Sequence, residues 1–241
     1  MTCSNSIEGK RSTRMNASPD NGTKGIGARM PMPDGGIEAK DTGQRAAKSG
    51  STRARSHTPL VFEKLCIQRH APWLYREMMD PSNRYLILPN VHINTEVDFE
   101  AWLLSQCRGN YLEFYVVHAS DTGKPVGFVY AYDYRPDDGH CRICVHIAHG
   151  YRSTGAGALA AAHFIGLLFR SYPLRKVYSA VYGFNTASLQ GNMKAGFVEE
   201  ARLPEYRYYE GKYWDLVLCS MSREAYQGRL ARYDERFFPR A

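Results

Sequence analysis

Hydrophobic and polar positions alternate with a period of two along much of the chain after residue 59, and switch to helical spacing in several places. The alternation predicts seven strands, at residues 61–69, 111–119, 126–134, 142–148, 176–182, 198–209 and 212–222. Helical spacing predicts four helices, at residues 71–79, 98–106, 156–171 and 187–195. This order gives a meander of strands, one strand–helix–strand crossover and a closing hairpin. It predicts an α+β (mixed α/β) fold with a central mixed, mostly antiparallel sheet of about seven strands and helices on both faces.

Residues 1–58 differ in composition from the rest. They contain ten Lys or Arg, five Asp or Glu and none of the thirty aromatic residues, so they carry +5 of the formal +7. Such a segment cannot bury enough apolar surface to offset its ordering entropy, about 1–2 kcal/mol per residue. We predict a disordered basic leader over residues 1–58, a folded domain over residues 59–226 and an aromatic, basic extension over residues 227–241.

The sequence also limits location and partners. No apolar stretch is long enough for a secretory signal or a membrane span, and the six cysteines are scattered in a domain that can fold without disulfides. We therefore predict a cytoplasmic protein with no membrane partner. The scattered charges of the leader and the lack of a basic stripe in the folded part argue against a nucleic-acid partner. A homodimer stays open, because the sequence is silent on oligomeric state.

A glycine-rich turn between a predicted strand and a predicted helix is the first candidate binding element. It reads Arg152, Ser153, Thr154, Gly155, Ala156, Gly157, Ala158. Backbone N–H groups and the positive helix end at such a turn bind phosphate groups. The dinucleotide fingerprint G-x-G-x-x-G is not met, because Leu159 and Ala160 follow where its third glycine belongs. A plain tight turn is the alternative interpretation.

Two further motifs give the turn a context, Asn185-Thr-Ala-Ser188 and Lys194-Ala-Gly196-Phe197. The order of all these pieces resembles the GNAT superfamily of acyl-CoA-dependent N-acyltransferases, over residues 61–226. Gly196-Phe-Val-Glu-Glu, with the later Arg202-Leu-Pro-Glu-Tyr and Gly211-Lys-Tyr-Trp-Asp, is similar to one branch. That branch contains the acetyltransferases of ribosomal-protein N-termini and of spermidine. The resemblance implies a GNAT acyltransferase domain at residues 59–226, with two central strands splayed apart.

The resemblance also implies acetyl-CoA as the acyl-donor cosubstrate. Its pyrophosphate would lie on the backbone of residues 153–158 beside Arg152, and its pantetheine arm between strands 144–148 and 176–182. A backbone N–H near Ile147 or Ala148 would polarise the thioester carbonyl. Asn185 would hold its turn and hydrogen-bond the arm.

Protonation of the departing thiolate has no obvious donor in the sequence. Many GNAT proteins carry a tyrosine seven residues after the Asn, where this chain has Asn192. In the ribosomal-protein branch the serine of the Asn-x-x-Ser motif looks to serve instead, which implies Ser188. That serine is equally well placed to be the N-cap of the following helix.

The acceptor amine must lose a proton before it attacks, since an alkylammonium has a pKa of about 10.4. Three residues are candidates for the base. Glu205 matches the acidic base that the ribosomal-protein branch looks to carry. His146 lies in a strand beside the expected thioester position, and imidazole exchanges protons near neutral pH. Tyr206 is the third candidate.

A metal site and a nucleophilic cysteine are two alternatives to direct acyl transfer. Cys141-x-x-Cys144 lies near three histidines, His140, His146 and His149. On a strand, however, the two cysteines point to opposite faces, and the second Cys-x-x-Cys pair of a structural zinc site is absent. We predict no metal. No sequence neighbourhood supports a nucleophilic cysteine.

The predicted function is that of an acetyl-CoA-dependent N-acetyltransferase, which transfers the acetyl group directly to a primary amine. A peptide N-terminus, a polyamine or an amino-bearing antibiotic would serve as acceptor. Acidic residues expected near the substrate favour a cationic amine: Glu96, Asp98, Glu100, Glu199, Glu200 and Glu205. The alternative function is a catalytically weak GNAT-fold sensor that binds CoA, or an interaction module.

Overall fold

The structure is a computed structural model, and it describes residues 59–87 and 93–237. The predicted basic leader, residues 1–58, lies outside the described residues. The strands within them are β1 (Leu60–Lys64), β2 (Tyr111–Ala119), β3 (Pro125–Arg135), β4 (His140–Ile147), β5 (Lys176–Tyr182), β6 (Val198–Tyr209) and β7 (Lys212–Ser222). The α-helices are α1 (Ile67–Met79), α2 (Pro81–Ile87), α3 (Glu96–Gly109), α4 (Ala156–Ser171), α5 (Thr186–Ala195), α6 (Arg223–Arg229) and α7 (Ala231–Phe237).

The strands form one sheet in the order β1-β2-β3-β4-β5-β7-β6. Among the described strands β4 and β5 are the parallel pair, and the other neighbours are antiparallel. The parallel pair follows from the crossover through α4, since a parallel connection must pass over the sheet. The predicted mixed, mostly antiparallel sheet is confirmed.

Strands β4 and β5 pair over only three residues each. The register joins His140 to Lys176 and Arg142 to Tyr178, and beyond these pairs the two strands have no pairing with each other. β4 nevertheless stays paired with β3 as far as Ile147, and β5 stays paired with β7 as far as Tyr182. The facing edges therefore leave backbone groups that an extended ligand can pair with.

Two hydrophobic cores cover the sheet, one on each face. The first core packs α4 against the sheet and includes Phe164, Ile165 and Leu168. The second packs α1 and α3 against the other face and includes Leu74 and Phe99. Because strand side chains alternate, neighbouring residues of one strand supply different cores. This arrangement confirms the predicted helices on both faces.

The N-terminal elements differ from the sequence prediction. The first strand was predicted to run to Arg69, but β1 ends at Lys64 and α1 begins at Ile67. The reason lies in the helix start, where the Cys66 N–H donates to His70 Nδ1 at 3.0 Å. This local bond satisfies a backbone donor at the start of α1 and favours the helix over a longer strand.

The chain after β7, where the sequence pattern predicts no helix, forms α6 and α7. Asp234 of α7 is buried, and its carboxylate accepts hydrogen bonds from His163, Arg170 and Tyr226. Gly166 of α4 makes room for this contact, because a Cβ there would collide with the Tyr226 hydroxyl. Polar contacts therefore fix these two short helices on α4.

None of the helices in the described ranges is long and apolar enough to cross a membrane.

We expect Gly127→Ala to destabilise the protein through β4. Gly127 of β3 pairs with Ile147, and a Cβ there would collide with the backbone carbonyl of His146. Overpacking of this kind costs about 1–3 kcal/mol, here as a lower free energy of unfolding measured in urea. Gly109→Ala is the matched control, since its Cβ meets no atom within 4 Å. Equal stability of the two variants would contradict this close approach of β3 and β4.

Candidate active site

The glycine-rich turn leads directly into α4. Ser153 and Gly155 have φ angles of 63° and 95°, in the left-handed region that such a tight turn requires. Thr154 Oγ1 donates to the Tyr151 carbonyl at 2.7 Å and accepts the Ala156 N–H at 3.3 Å. The N–H groups of residues 157 and 158 have no acceptor among the described residues. They lie in the first turn of a 16-residue helix, so this end of α4 is suited to an anion.

The two backbone amides at the end of β4 point in different directions. The Ala148 N–H donates to the Val126 carbonyl of β3 at 2.9 Å, so it is not free to polarise a thioester. Because successive N–H groups of a strand alternate in direction, the Ile147 N–H points away from β3, toward the gap beside β5. Of the two amides considered from the sequence, the geometry therefore favours Ile147.

The Arg152 side chain turns toward the end of β4 and not along the glycine turn. Its Nε donates to the Ile147 carbonyl at 3.1 Å, and its Nη2 donates to Asn83 Oδ1 at 2.6 Å. In this structure the guanidinium thus joins β4 to α2. Its expected place beside a pyrophosphate would require it to leave these two acceptors.

His146 lies on the α1 face of the sheet, one residue before the end of β4. Its ring stacks on Phe128 with centroids 4.7 Å apart, and the residue is 7% exposed. His146 Nε2 donates to Glu77 Oε1 of α1 at 2.8 Å, since a charged carboxylate can only accept. The described residues offer no hydrogen bond to Nδ1, so that nitrogen carries the lone pair of the neutral ring.

Glu77 and Asn83 are site residues that sequence reasoning missed. Asn83 Nδ2 donates to both the side chain and the carbonyl of Glu77 at 3.0 Å. The hydrogen bond from His146 lowers the pKa of Glu77 and outweighs burial, which raises it, so Glu77 is charged at neutral pH. Glu77 is 69 residues from His146 in the chain, and no local motif marks either Glu77 or Asn83.

Glu205 lies on the opposite side of the gap, in a bulge of β6. Its φ angle is 52°, an uncommon conformation for a residue other than glycine. The register of β6 shifts here, and the Glu205 N–H donates to Asp215 Oδ1 at 3.2 Å. The Glu205 side chain is exposed, and the ring of Tyr206 stacks against Tyr182 at the end of β5. Glu205 and His146 thus come from opposite sides of the gap.

Asn185 is the N-cap of α5, because its Oδ1 accepts the Ser188 N–H at 3.2 Å. The N-cap role considered for Ser188 therefore belongs to Asn185, and Ser188 stands in the first turn. Asn192, which occupies the position of the expected tyrosine, donates to Ser179 Oγ of β5 at 3.1 Å. This contact ties α5 to the strand that borders the gap.

Some of the acidic residues expected near the substrate are already paired. Glu200 binds Lys176 and the Ser220 hydroxyl, while Glu199 binds Arg202. The Asp98 carboxylate accepts a hydrogen bond from the Thr95 hydroxyl at 2.8 Å. Asp215 is paired as well, with Arg202 at 3.2 Å. Glu77 and the exposed Glu205 are better candidates for a cation site at the gap.

The cysteines of β4 point to opposite faces, as the alternation predicts. Cys141 lies in the α4 core, and Cys144 packs against the α1 core. Burial raises the pKa of Cys141 to about 12 and that of Cys144 to about 11. Both thiols are therefore protonated at neutral pH, which argues against either as a nucleophile.

Comparison with known proteins is consistent with this geometry. A family model, the acetyltransferase (GNAT) domain, matches residues 60–198, more than half of the chain. The uncharacterized, SPbeta prophage-derived N-acetyltransferase YokL of Bacillus subtilis strain 168 is 24% identical over 126 residues. The match covers 52% of this chain and 70% of that protein.

Solved structures show the same fold. Spermidine N-acetyltransferase from Vibrio cholerae, in complex with CoA and spermine, matches with a TM-score of 0.64 and 16% identity. This match covers 70% of the present chain and 98% of the enzyme. A chimera of Vibrio cholerae spermidine N-acetyltransferase SpeG and hSSAT matches with a TM-score of 0.63 and 17% identity, over 71% and 99% of the two chains. At this identity the likeness supports the fold alone.

We expect Glu77→Gln to lower stability in a pH-dependent way. The lowered pKa means that ionised Glu77 stabilises the fold above its ordinary value of 4.5, and that this contribution disappears as pH falls through the lowered value. Loss of the Glu77 charge at neutral pH should lower the free energy of unfolding by about 1 kcal/mol. Urea unfolding of both proteins from pH 7 to pH 3 should show the difference shrinking. Exposed Glu235→Gln is the control, and a pH-independent difference for Glu77→Gln would contradict the assignment.

Proposed function

The chain belongs to the GNAT acetyltransferases, and from that family membership we propose that it transfers acetyl groups directly to a primary amine of a cationic substrate, with polyamines as the first candidates. Acetyl-CoA supplies the acetyl group as an activated thioester. The observation that carries the proposal is the His146–Glu77 pair at the unpaired end of β4, where a base is required.

The residues of this chain fit acetyl-CoA. The open N–H groups of residues 157 and 158 would bind its pyrophosphate, with Ser153, Thr154, Gly155 and Ala156 completing the turn. The edges of β4 and β5 would pair with the amides of its arm. The Ile147 N–H would polarise the carbonyl of the thioester, and Asn185 would position α5 beside the arm.

His146 would remove the proton of the acceptor amine through Nδ1. Glu77 accepts a hydrogen bond from the Nε2–H group, which leaves the lone pair on Nδ1 and orients the ring. The charged carboxylate would also stabilise the imidazolium that forms when the amine loses its proton. A positioned base of this kind contributes about 10²–10⁴ in rate. Glu205 is the second candidate, because its side chain is exposed beside the end of β5.

The proposed acceptor side combines aromatic rings and carboxylates. The rings of Tyr182, Phe184 and Tyr209 stack in succession, with centroid distances of 5.5 Å and 4.3 Å. Glu205 lies beside them, next to Tyr206, whose ring stacks on Tyr182, whereas the Asp215 carboxylate is paired with Arg202. Aromatic faces and carboxylates together favour an alkylammonium group. The similar Vibrio cholerae enzyme was solved with spermine, which supports polyamines as the first class to test.

A CoA-binding protein with little turnover is the second candidate function. The observation that favours it is Asn192, whose amide donates to Ser179 in the position where a tyrosine would protonate the thiolate. Ser188, in the first turn of α5, would be the proton donor in place of the tyrosine. Thiol release from acetyl-CoA in the presence of amines separates the two functions.

We expect His146→Gln to lower kcat by about 10²–10⁴ while the acetyl-CoA Kd stays within a few-fold. Glutamine keeps a donor for Glu77 but cannot take a proton. Thiol release would be measured with spermidine, an N-terminal peptide amine and an aminoglycoside, and acetyl-CoA binding by calorimetry. The wild type should have its highest kcat/KM with spermidine.

Glu205→Gln is the matched control and should lower kcat only a few-fold. The reverse result, with Glu205→Gln inactive and His146→Gln active, would assign the base to Glu205. Tight acetyl-CoA binding without turnover on any of these amines would favour the CoA-binding function.

We expect Gly157→Ala to weaken acetyl-CoA binding without destabilising the fold. Its Cβ would lie 3.5 Å from Ile147 Cγ1, an ordinary contact, and alanine favours a helix by up to about 1 kcal/mol. The methyl group would crowd the N–H groups proposed to hold the pyrophosphate. A raised Kd for acetyl-CoA with an unchanged or higher urea midpoint is the expected result. An unchanged Kd would mean that the turn is only a tight turn.

A further inference from the structure

A second cluster of titratable groups lies at the β1 edge of the sheet, three strands away from β4. It contains Glu63 of β1, His70 of α1 and His118 of β2. The register pairs Val61 with His118, which places Glu63 and His118 as diagonal neighbours on one face of these strands. His70 reaches them because α1 starts directly after β1.

The three donor atoms converge on one point. His70 Nε2 is 3.4 Å from Glu63 Oε2, and His118 Nε2 is 3.5 Å from the same oxygen. All three atoms lie within 4.8 Å of one another. Two ligands bound to zinc at about 2.0–2.1 Å in tetrahedral geometry are about 3.3 Å apart. The carboxylate–imidazole spacings therefore match a shared metal ion.

The position of the His118 ring proton leaves room for a cation between His118 and Glu63. His118 Nδ1 donates to the Gly123 carbonyl at 3.1 Å, so the neutral ring has its lone pair on Nε2, facing the Glu63 carboxylate. Two electron-pair donors thus face each other. The Nε2 atoms of both histidines are buried and have no hydrogen-bond partner among the described residues. A metal ion would satisfy both, and at His118 it would complete the arrangement by which a metal-bound histidine donates its second N–H to a carbonyl.

From this convergence we propose that Glu63, His70 and His118 form a binding site for a divalent transition metal of the zinc class. Two imidazoles and one carboxylate suit zinc better than calcium or magnesium, which prefer oxygen ligands. Arg69 donates to Glu63 Oε1 and leaves Oε2 for the metal. Three protein ligands leave a fourth position for water, since Glu63 is partly exposed.

Metal binding has a specific consequence at His70. Its Nδ1 accepts the Cys66 N–H, so the proton of the neutral ring is on Nε2. When the metal takes the Nε2 lone pair, the ring proton moves to Nδ1 and the Cys66 N–H loses its acceptor. Amide exchange at Cys66 should therefore become faster.

The experiment uses the full chain after treatment with a chelator, titrated with Zn²⁺ in competition with a chromophoric chelator. We expect one zinc per chain with micromolar or tighter affinity. His118→Gln and Glu63→Gln should each weaken binding by tenfold or more. His149→Ala, which removes an exposed histidine outside the cluster, should leave the affinity unchanged. Unfolding midpoints without metal establish that each variant is folded.

Cobalt substitution identifies the ligands independently of the variants. A visible Co²⁺ spectrum without thiolate charge-transfer bands would support nitrogen and oxygen ligation, whereas thiolate bands would assign the metal to cysteines and overturn the proposal. No zinc binding by the folded protein, or zinc affinities of both cluster variants equal to that of the wild type, would also overturn it. None of these measurements depends on acetyl transfer.

Discussion

Backbone N–H and C=O groups in a sheet need hydrogen-bond partners. The candidate site of this protein depends on the gap between β4 and β5, where the neighbouring strand does not supply them. β4 and β5 separate after three paired residues, yet each keeps its other neighbour to the end. The cost of leaving N–H and C=O groups unpaired in a sheet is avoided when an extended ligand or water takes the gap. A core on each face keeps the two strands in place while their facing edges stay apart.

The two faces contribute different chemistry to this gap. The α4 face supplies backbone donors at a helix start, which suit an anionic group. The α1 face supplies a carboxylate and an imidazole, which suit proton transfer from a cation. Arg152 and Asn83 connect the two, because the guanidinium spans the end of β4 and the side chain of α2. The position of α1 and α2 therefore sets the geometry of the proposed base.

Family membership determines the reaction, and the acceptor side determines the substrate. The residues that bind acetyl-CoA in the proposal are largely backbone groups, which tolerate sequence change. The proposed acceptor side consists of side chains from β5, from the residues just after it and from β6, so its specificity would depend on tertiary contacts. The hydrogen bonds to Asp234 support the acetyl-CoA side of the proposal, since they hold α7 against α4.

The sequence alone determined the elements whose signals are local. Alternation gave the bounds of β5, β6 and β7, and the glycine turn and Asn185 marked the starts of α4 and α5. These features rest on periodicity and capping, which act within a few residues of the chain. The fold class followed from the order of the elements.

Only the tertiary structure decided which side chains meet. Glu77 reaches His146, and Asn83 reaches Arg152, across 69 residues in each case. The Ala148 N–H donates to the Val126 carbonyl of β3, and Asn185, not Ser188, is the N-cap of α5. Asp234 holds α7, a helix that the sequence did not predict, against α4. Such contacts depend on how helices pack against the sheet, and the spacing of residues along the chain does not predict that packing.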